Sequence, residues 1–207
     1  DGGSFPWDEH AEKFPEIAGD NPAYHGVNFR ERFGDAAFTY AAIARGQRDL
    51  GTQQAPFDSW TTLQGLESLP MRMDRHCRNA QTVAEFLQDD PRVSWVTYPG
   101  LADHETHDAA SEYLDDGYGG MITFGLEAGY DAARKTVEST ELASLLANVG
   151  DAKTLIIHPA STTHQQLSDE EKEAAGVTDD LVRLSVGLES ADDIIADLEQ
   201  AISAATE

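Results

Sequence analysis

The sequence predicts an α/β protein of the α+β kind, in which a sheet of several strands carries helices on one side. Beyond residue 90, short runs of strand-forming apolar residues alternate with segments of helical periodicity. Ahead of them, apolar residues recur every three or four positions, which indicates a long amphipathic helix. Residues 1 to about 35 are rich in Gly, Pro, Asp and aromatic residues, and predict a loop with buried aromatic anchors.

Two helical segments are predicted in the first 90 residues. Residues 36–50 have helical propensity, and four of them share one face: Phe38, Ala41, Ala42 and Arg45. A second helical pattern opens at Ala55, and Pro70 should kink it or split it in two. We expect this long helix to bury one apolar stripe, made of Leu63, Leu66, Leu69, Met73, Cys77, Ala80, Val83 or Ala84, and Leu87.

The rest of the chain predicts four strands and four helices in alternation. Strands are expected over residues 93–98, 121–126, 154–157 and 181–189, and helices over 109–114, 130–138, 165–176 and from about 191 onward. Pro159 should end the third strand, because proline cannot donate to the ladder. Ser168 is a plausible N-cap for the third of these helices.

The charge balance is strongly acidic, with 38 acidic residues against 14 basic ones and a net charge of −24. This balance argues against nucleic acid or an acidic membrane surface as a partner. It is typical of a protein that stays soluble in high salt, as in a halophile; an acidic protein of ordinary cytoplasm is the alternative. Cys77 is the one cysteine, and no apolar run is long enough to cross a membrane, so we expect a cytoplasmic protein.

Arg183 lies in the middle of the last predicted strand. Val182, Leu184 and Val186 alternate with Leu181, Arg183 and Ser185, so the arginine faces away from the most apolar side. A guanidinium is costly to bury alone and can hold a carboxylate by two parallel hydrogen bonds. From the pattern alone, Arg183 is either a carboxylate clamp or an arginine that is solvated or paired with a local acid.

Three stretches carry a resemblance to a known family. They are Ala147-Asn148-Val149-Gly150-Asp151-Ala152, Ile157-His158-Pro159-Ala160-Ser161-Thr162-Thr163-His164, and Leu181-Val182-Arg183-Leu184-Ser185-Val186-Gly187-Leu188-Glu189. Together they resemble the carboxy-terminal domain of the Cys/Met-metabolism family of pyridoxal-phosphate enzymes. The resemblance implies the carboxy-terminal part of a fold-type I pyridoxal-phosphate-dependent transferase. Residues 1–75 would be the tail end of its large cofactor-binding domain, and residues 76–207 its small α/β domain.

The resemblance also implies three substrate-binding residues. In the family, the arginine of the last stretch binds the α-carboxylate of the amino-acid substrate, and this role falls to Arg183. Asn148 matches a turn residue that lines the carboxylate site, and the hydroxyl of Thr163 would support the clamp or the substrate. No metal site is predicted, because the pair His104 and His107 lacks further ligands.

The turn residues 148–153, the loop that begins at residues 1–3 and residues 165–171 are similar to the O-acetylhomoserine sulfhydrylase branch. In the family, a lysine in a Ser-x-Thr-Lys pattern binds pyridoxal phosphate, and none of the four lysines here has that setting. We therefore expect the carboxy-terminal half of such an enzyme, with no catalytic or cofactor-binding residue of its own, inactive alone and without pyridoxal phosphate. The intact enzyme would bind the cofactor, form a homo-oligomer with active sites shared between subunits, and replace the acetoxy group on Cγ of O-acetylhomoserine by sulfide or methanethiol.

Two alternatives remain open. The chain could belong to another transsulfuration enzyme of the family, of the cystathionine γ-synthase, cystathionine γ-lyase or methionine γ-lyase type. It could also be a non-catalytic binding or assembly module that uses residues 60–90 as a partner helix.

Overall fold

The computed structural model describes residues 2–206, which form two compact units, one ending at Gln64 and the other beginning at Gly65. The first contains a 3₁₀ turn (Trp7–His10), α1 (Pro15–Ala18), β1 (Asp20–Asn21), a 3₁₀ turn (Pro22–Tyr24), β2 (Val27–Asn28), α2 (Phe29–Phe33), a 3₁₀ turn (Gly34–Ala36), α3 (Ala37–Ala41) and a π-helix (Ala42–Arg48). Helix α4 (Pro56–Glu67) follows. The remaining elements are α5 (Leu69–Asp89), β3 (Val93–Thr97), α6 (His107–Tyr113), β4 (Met121–Leu126), α7 (Gly129–Ser139), β5 (Ser144–Leu145), β6 (Leu155–Ile157), a 3₁₀ turn (Pro159–Ser161), α8 (Asp169–Ala174), β7 (Leu181–Ser185) and α9 (Ala191–Thr206).

Aromatic side chains organise the first unit, as the sequence predicts. Trp7 and Phe29 are buried with Ile17, Ala37 and Ala41 in a small core. The segment nevertheless folds into short helical turns rather than a plain loop. The predicted helix over residues 36–50 is present, but most of it has π-helical hydrogen bonding.

The long amphipathic pattern is split in two at Pro70, as predicted. Helix α4 ends at Glu67, and α5 begins at Leu69, which places the proline in the first turn, where its missing N–H costs nothing. The expected single buried stripe is wrong over its first half. Ala80, Val83, Ala84 and Leu87 are fully buried, whereas four predicted members are exposed: Leu63, Leu66, Leu69 and Met73. Nothing within residues 2–206 buries any side chain of α4.

The five-stranded sheet has the order β3-β4-β7-β6-β5, with β7 at its centre. All neighbouring pairs are antiparallel except β5 and β6. Leu184 pairs with Ile122 on one side and with Ile156 on the other, so one apolar row crosses three strands. Helices α5, α7 and α9 bury this face, which confirms the prediction of helices on one side of the sheet.

Local signals set several boundaries of the second unit. Ser168 caps α8 in a capping box with Glu171, as expected for an N-cap residue. Strand β6 ends at Ile157, two residues before Pro159. The domain boundary expected between residues 75 and 76 of an intact enzyme stays a prediction. Over the part of the chain described, residues 2–206, no helix is long and apolar enough to cross a membrane.

Candidate carboxylate-binding site

Strand β7 places Arg183 on the sheet face opposite the helices. Its neighbours in sequence, Val182 and Leu184, are fully buried on the helix-covered face, so the alternation of the strand turns Arg183 the other way. Across the sheet it pairs with Thr123 of β4 and with Ile157, the last residue of β6. Arg183 is half-buried there.

The guanidinium of Arg183 has no carboxylate partner within residues 2–206, although the chain carries 38 acidic residues. One of its terminal nitrogens donates to the backbone carbonyl oxygen of Asn148 at 3.2 Å. A carbonyl oxygen orients the guanidinium without neutralising it. The remaining donors of the fork can therefore take an anion, and a carboxylate matches their planar geometry.

The nearest acid along the chain, Asp180, is held elsewhere. Its carboxylate accepts hydrogen bonds from Trp95 Nε1 at 2.9 Å and from Ser94 Oγ at 3.2 Å. Burial alone would raise the pKa of Asp180, but hydrogen bonds from Thr178, Trp95 and Ser94 outweigh burial and lower the pKa. The acid is thus kept ionised without the help of Arg183.

The turn after β5 runs alongside β7 and is bonded to it at intervals. Beyond the contact between Asn148 and Arg183, Gly150 N donates to Ser185 Oγ at 3.4 Å, and Leu188 N donates to the carbonyl oxygen of Ala152 at 2.9 Å. Gly150 has φ of 74°, a left-handed conformation that favours glycine. The turn therefore follows the strand that carries the arginine.

A partly buried polar cluster closes the end of this turn. The carboxylate of Glu189 accepts from Thr154 N and from Thr154 Oγ1, both at 2.8 Å. The same hydroxyl oxygen accepts from Gly187 N at 2.9 Å. A Cβ at Gly187 would lie 2.4 Å from Thr154 N, so only glycine fits this approach. Thr154 thus bonds both Glu189 and Gly187, which links the end of the turn to the residues after β7.

Helix α5 holds the same segment from the other side. His76 is buried, and its Nδ1 pairs with the carbonyl oxygen of Val186 at 2.6 Å. Asn79 Nδ2 donates to the carbonyl oxygens of Gly187 and Glu189, both at 2.9 Å. His76 is thus a buried packing histidine. These contacts fix the end of β7 against α5.

The structure brings two of the three predicted site residues together. Asn148 contacts Arg183 through its backbone carbonyl, while its side-chain oxygen accepts from Val149 N at 2.9 Å. Thr163 is exposed, and its hydroxyl pairs with His164 Nδ1 at 2.8 Å. Over the described residues, Thr163 makes no hydrogen bond to Arg183 or to Asn148.

The His-Pro-Ala-Ser stretch is structural in this chain. His158 is buried, and its Nε2 donates to the carbonyl oxygen of Asp179 at 2.8 Å, while Nδ1 pairs with Ser161 Oγ at 2.8 Å. The ring of Tyr130 packs edge-on against it, with centroids 4.8 Å apart. The histidine thus joins the end of β6 to the residues that lead into β7.

Sequence reasoning missed several residues that build the site. Thr154 and Asn79 hold the backbone of the residues after β7, but threonines and asparagines are common on this polar chain and no periodicity marks these two. A signal existed for Glu189, because it closes the strand motif that contains Arg183. Its partner Thr154 lies 35 residues away and becomes identifiable only once β6 and β7 are paired.

A separate cavity of about 670 Å³ lies between the start of α5 and the loop after α6. Met73, Cys77, Tyr113 and Tyr118 supply much of its lining. None of Arg183, Asn148 or Thr163 lines it. The cavity is therefore not part of the carboxylate site.

Residues 17–203 match the family described as Cys/Met metabolism PLP-dependent enzymes. The chain belongs to this family. The members of this family are described as pyridoxal-phosphate-dependent enzymes.

Relatives with known names are similar over nearly all of the chain. A homocysteine synthase of Schizosaccharomyces pombe is 50% identical over 205 residues, which are 99% of this chain and 48% of that protein. An O-acetyl-L-homoserine sulfhydrylase of Leptospira meyeri is 49% identical over 211 residues, covering 98% of this chain and 47% of the relative. The chain thus spans about half the length of these relatives.

A solved structure supports the fold. A crystal structure named as an O-acetylhomoserine (thiol)-lyase of Campylobacter jejuni superposes with a TM-score of 0.79 and 45% sequence identity. The match covers 89% of this chain and 44% of that chain, which carries a pyridoxyl-lysine phosphate group. This likeness confirms the predicted fold class, the carboxy-terminal part of a pyridoxal-phosphate-dependent transferase.

The residues of this chain do not fit the task of holding the cofactor. Lys13, Lys135 and Lys153 are exposed, and Lys172 pairs with Asp169 at 3.5 Å on the surface helix α8. No other lysine is present in the chain. A lysine that holds the cofactor needs an enclosed site that orients the ring, and none of the four lies in one within residues 2–206.

Proposed function

We propose that this chain supplies the substrate-carboxylate site of an O-acetylhomoserine sulfhydrylase, of which it forms the carboxy-terminal half. One observation carries the proposal. Arg183 is half-buried and has no acidic partner within residues 2–206 of a chain with net charge −24. An arginine kept free of acids on such a protein is suited to an anionic ligand that arrives from outside.

Arg183 binds the α-carboxylate of the substrate through its guanidinium fork, while the carbonyl of Asn148 fixes the plane of the fork. The turn that contains Asn148 lines the site, and the hydroxyl of Thr163 contributes to the substrate or to the clamp. These three residues bind and orient the substrate. Fixing the carboxylate restricts rotation of the α-carbon and holds it in one geometry for reaction.

The reaction of the intact enzyme is replacement at the γ-carbon of O-acetylhomoserine. The bond between Cγ and the acetate oxygen breaks, acetate leaves, and a bond from Cγ to sulfur forms, which gives homocysteine with sulfide or methionine with methanethiol. Two names among the relatives, homocysteine synthase and O-acetyl-L-homoserine sulfhydrylase, support this substrate. Because no lysine here fits the cofactor, this chain alone is inactive and binds no pyridoxal phosphate.

The test is a product assay on the intact protein and on this chain alone. O-acetyl-L-homoserine is supplied with sulfide or methanethiol in the presence of pyridoxal phosphate, and homocysteine, methionine and acetate are measured. We expect acetate and either homocysteine or methionine in equimolar amounts from the intact protein, and none from this chain. Turnover of cystathionine or methionine in place of O-acetyl-L-homoserine would move the enzyme to another transsulfuration type and contradict the proposal.

We also propose that the intact enzyme is a cytoplasmic homo-oligomer and that α4 contributes to contact with a second copy. Its exposed apolar side chains support this, since four of them follow one another at intervals of three: Phe57, Trp60, Leu63 and Leu66. This surface also favours the second candidate function, a non-catalytic assembly module.

Sedimentation of the intact wild-type protein and of its Leu63→Glu variant tests the contact. Dissociation by the substitution is expected, and an unchanged assembly would exclude α4.

A further inference from the structure

Asp197 is a buried acid in the middle of α9, 7% exposed, with no basic partner within residues 2–206. Its carboxylate accepts three backbone hydrogen bonds from the segment that leads into β5. Oδ1 accepts from Glu141 N at 2.7 Å, and Oδ2 accepts from Leu142 N at 3.1 Å and from Ala143 N at 2.9 Å. Hydrogen bonds to an ionised carboxylate are stronger than neutral ones, so the acid anchors this segment to α9.

Gln200, one turn further along α9, reinforces the anchor. Its side-chain nitrogen donates to Asp197 Oδ1 at 3.1 Å and to the carbonyl oxygen of Ser139, the last residue of α7, at 2.8 Å. The two side chains therefore hold residues 139–143 against α9.

The anchored segment leads directly to the carboxylate site. Strand β5 has two residues, lies at the edge of the sheet and pairs only with β6. Three residues after β5 comes Asn148, whose carbonyl oxygen accepts from Arg183. A two-residue edge strand has few hydrogen bonds to fix its place. The anchor fixes residues 141–143 ahead of β5, while the bond from Gly150 N to Ser185 Oγ holds the turn beyond Asn148. Asn148 thus lies between two fixed points.

We propose that Asp197 is a positioning residue for the carboxylate site. It fixes the segment before β5 so that the carbonyl of Asn148 meets the guanidinium of Arg183. The effect on ligand affinity rests on the proposed function, because it requires that Arg183 bind a carboxylate. The effect on the contact between Arg183 and Asn148 does not.

The test is NMR of this chain labelled with ¹⁵N and ¹³C, observing the Nε–H of Arg183 and the carbonyl carbon of Asn148. Spectra are recorded alone and during titration with O-acetyl-L-homoserine for wild type, Asp197→Asn, Gln200→Leu and Asp192→Asn. Asp197→Asn keeps the shape but turns an NH₂ group toward backbone donors. Asp192→Asn removes the same charge from an exposed position of α9 and controls for long-range electrostatics.

We expect Asp197→Asn to shift both ligand-free signals and to weaken O-acetyl-L-homoserine binding about tenfold, a loss comparable to one charge-assisted hydrogen bond. Gln200→Leu, at an exposed position, should shift the same signals in the same direction and weaken binding by less. Asp192→Asn should match wild type. Wild-type signals in both Asp197→Asn and Gln200→Leu would overturn the proposal, and if Asp197→Asn fails to fold, Gln200→Leu decides.

The titration separates the two proposals. A wild-type chain that shows no response to O-acetyl-L-homoserine argues against the carboxylate site, while shifted ligand-free signals in Asp197→Asn would still support the positioning role. If the wild-type chain binds O-acetyl-L-homoserine, and Asp197→Asn and Gln200→Leu show the same binding and the same signals as wild type, only the positioning role is overturned.

Discussion

Arg183 combines three properties at the scale of a single residue. It is half-buried, it lies opposite the helix-covered face of the sheet, and one backbone carbonyl, that of Asn148, orients it. A buried or half-buried charge normally finds an opposite charge, because desolvation is otherwise uncompensated. The nearby acid Asp180 instead accepts hydrogen bonds from Trp95 and Ser94. The guanidinium of Arg183 therefore remains available to a ligand.

The sequence predicts the identity of this residue but not its surroundings. The strand pattern shows which way Arg183 points, and the motif resemblance indicates its role. Asn148 acts through its backbone carbonyl, which any residue type could supply, so no side-chain pattern can predict the contact. Asp197 resembles the exposed acids Asp192 and Asp193 in sequence, and only the packing of α9 against residues 141–143 distinguishes it.

Asp90 gives a prediction about pH. Arg92 donates to its carboxylate through Nε at 2.8 Å and through its backbone N–H at 2.9 Å, and these bonds lower the pKa of the buried Asp90 despite its burial. A carboxyl group whose pKa is lowered in the folded state contributes its full stabilisation at pH values above the unfolded-state pKa of about 3.9. This contribution is lost as the pH falls through the folded-state pKa. Asp90→Asn should therefore cost about 1–3 kcal/mol at pH 7 and progressively less below about pH 4.

Urea unfolding of wild type and Asp90→Asn between pH 3 and pH 7 measures this difference. Asp89→Asn is the matched control, since Asp89 is the exposed neighbour at the end of α5, and its effect should stay within about 0.5 kcal/mol. A cost for Asp90→Asn that does not change with pH would show that the ionised form of Asp90 is not what stabilises the fold.

At the scale of elements, helical periodicity predicts α4 and α5 but not what covers them. The pattern of apolar residues is continuous from residue 57 to residue 87, and Pro70 correctly marks its interruption. Of these two helices, only α5 has buried apolar side chains. An amphipathic pattern indicates that one face of a helix should be covered, but it does not indicate which element covers that face. Strand β5 is not predicted either, because its two residues are too few to give a periodic signal.

Two leucines on these helices provide a matched prediction. Leu87 of α5 is 0% exposed in the main core, whereas Leu66 of α4 is 52% exposed. In this chain, Leu87→Ala should cost about 2–5 kcal/mol because it leaves a cavity, and Leu66→Ala should change stability by less than about 0.5 kcal/mol. Chemical denaturation followed by circular dichroism compares the two, and equal costs would contradict the burial assigned to these helices.

At the scale of the whole molecule, the net charge of −24 dominates. Repulsion between surface acids opposes folding at low ionic strength, and salt shortens its range from about 10 Å at 0.1 M to about 3 Å at 1 M. We predict that Tm rises by at least about 4 °C between low salt and 1 M KCl, which corresponds to roughly 1 kcal/mol or more for a chain of this size.

Differential scanning calorimetry in a KCl series measures this rise, and a sucrose series of equal osmolality separates charge screening from general solute exclusion. If sucrose raises Tm as much as KCl does, screening is not the cause. A Tm that stays constant or falls with KCl would contradict the expectation that this protein is suited to high salt.

The central claim is that Arg183 binds the substrate carboxylate, and the KM of the intact enzyme for O-acetyl-L-homoserine tests it most directly. Arg183→Ala should raise KM by at least about tenfold, since a charge-assisted pair contributes about 1.5–3 kcal/mol. The KM of Arg183→Lys should lie between that of wild type and that of Arg183→Ala. The control is Arg134→Ala, which removes the same charge from an exposed position that pairs with Glu138. A KM for Arg183→Ala within twofold of the wild-type value would contradict the account.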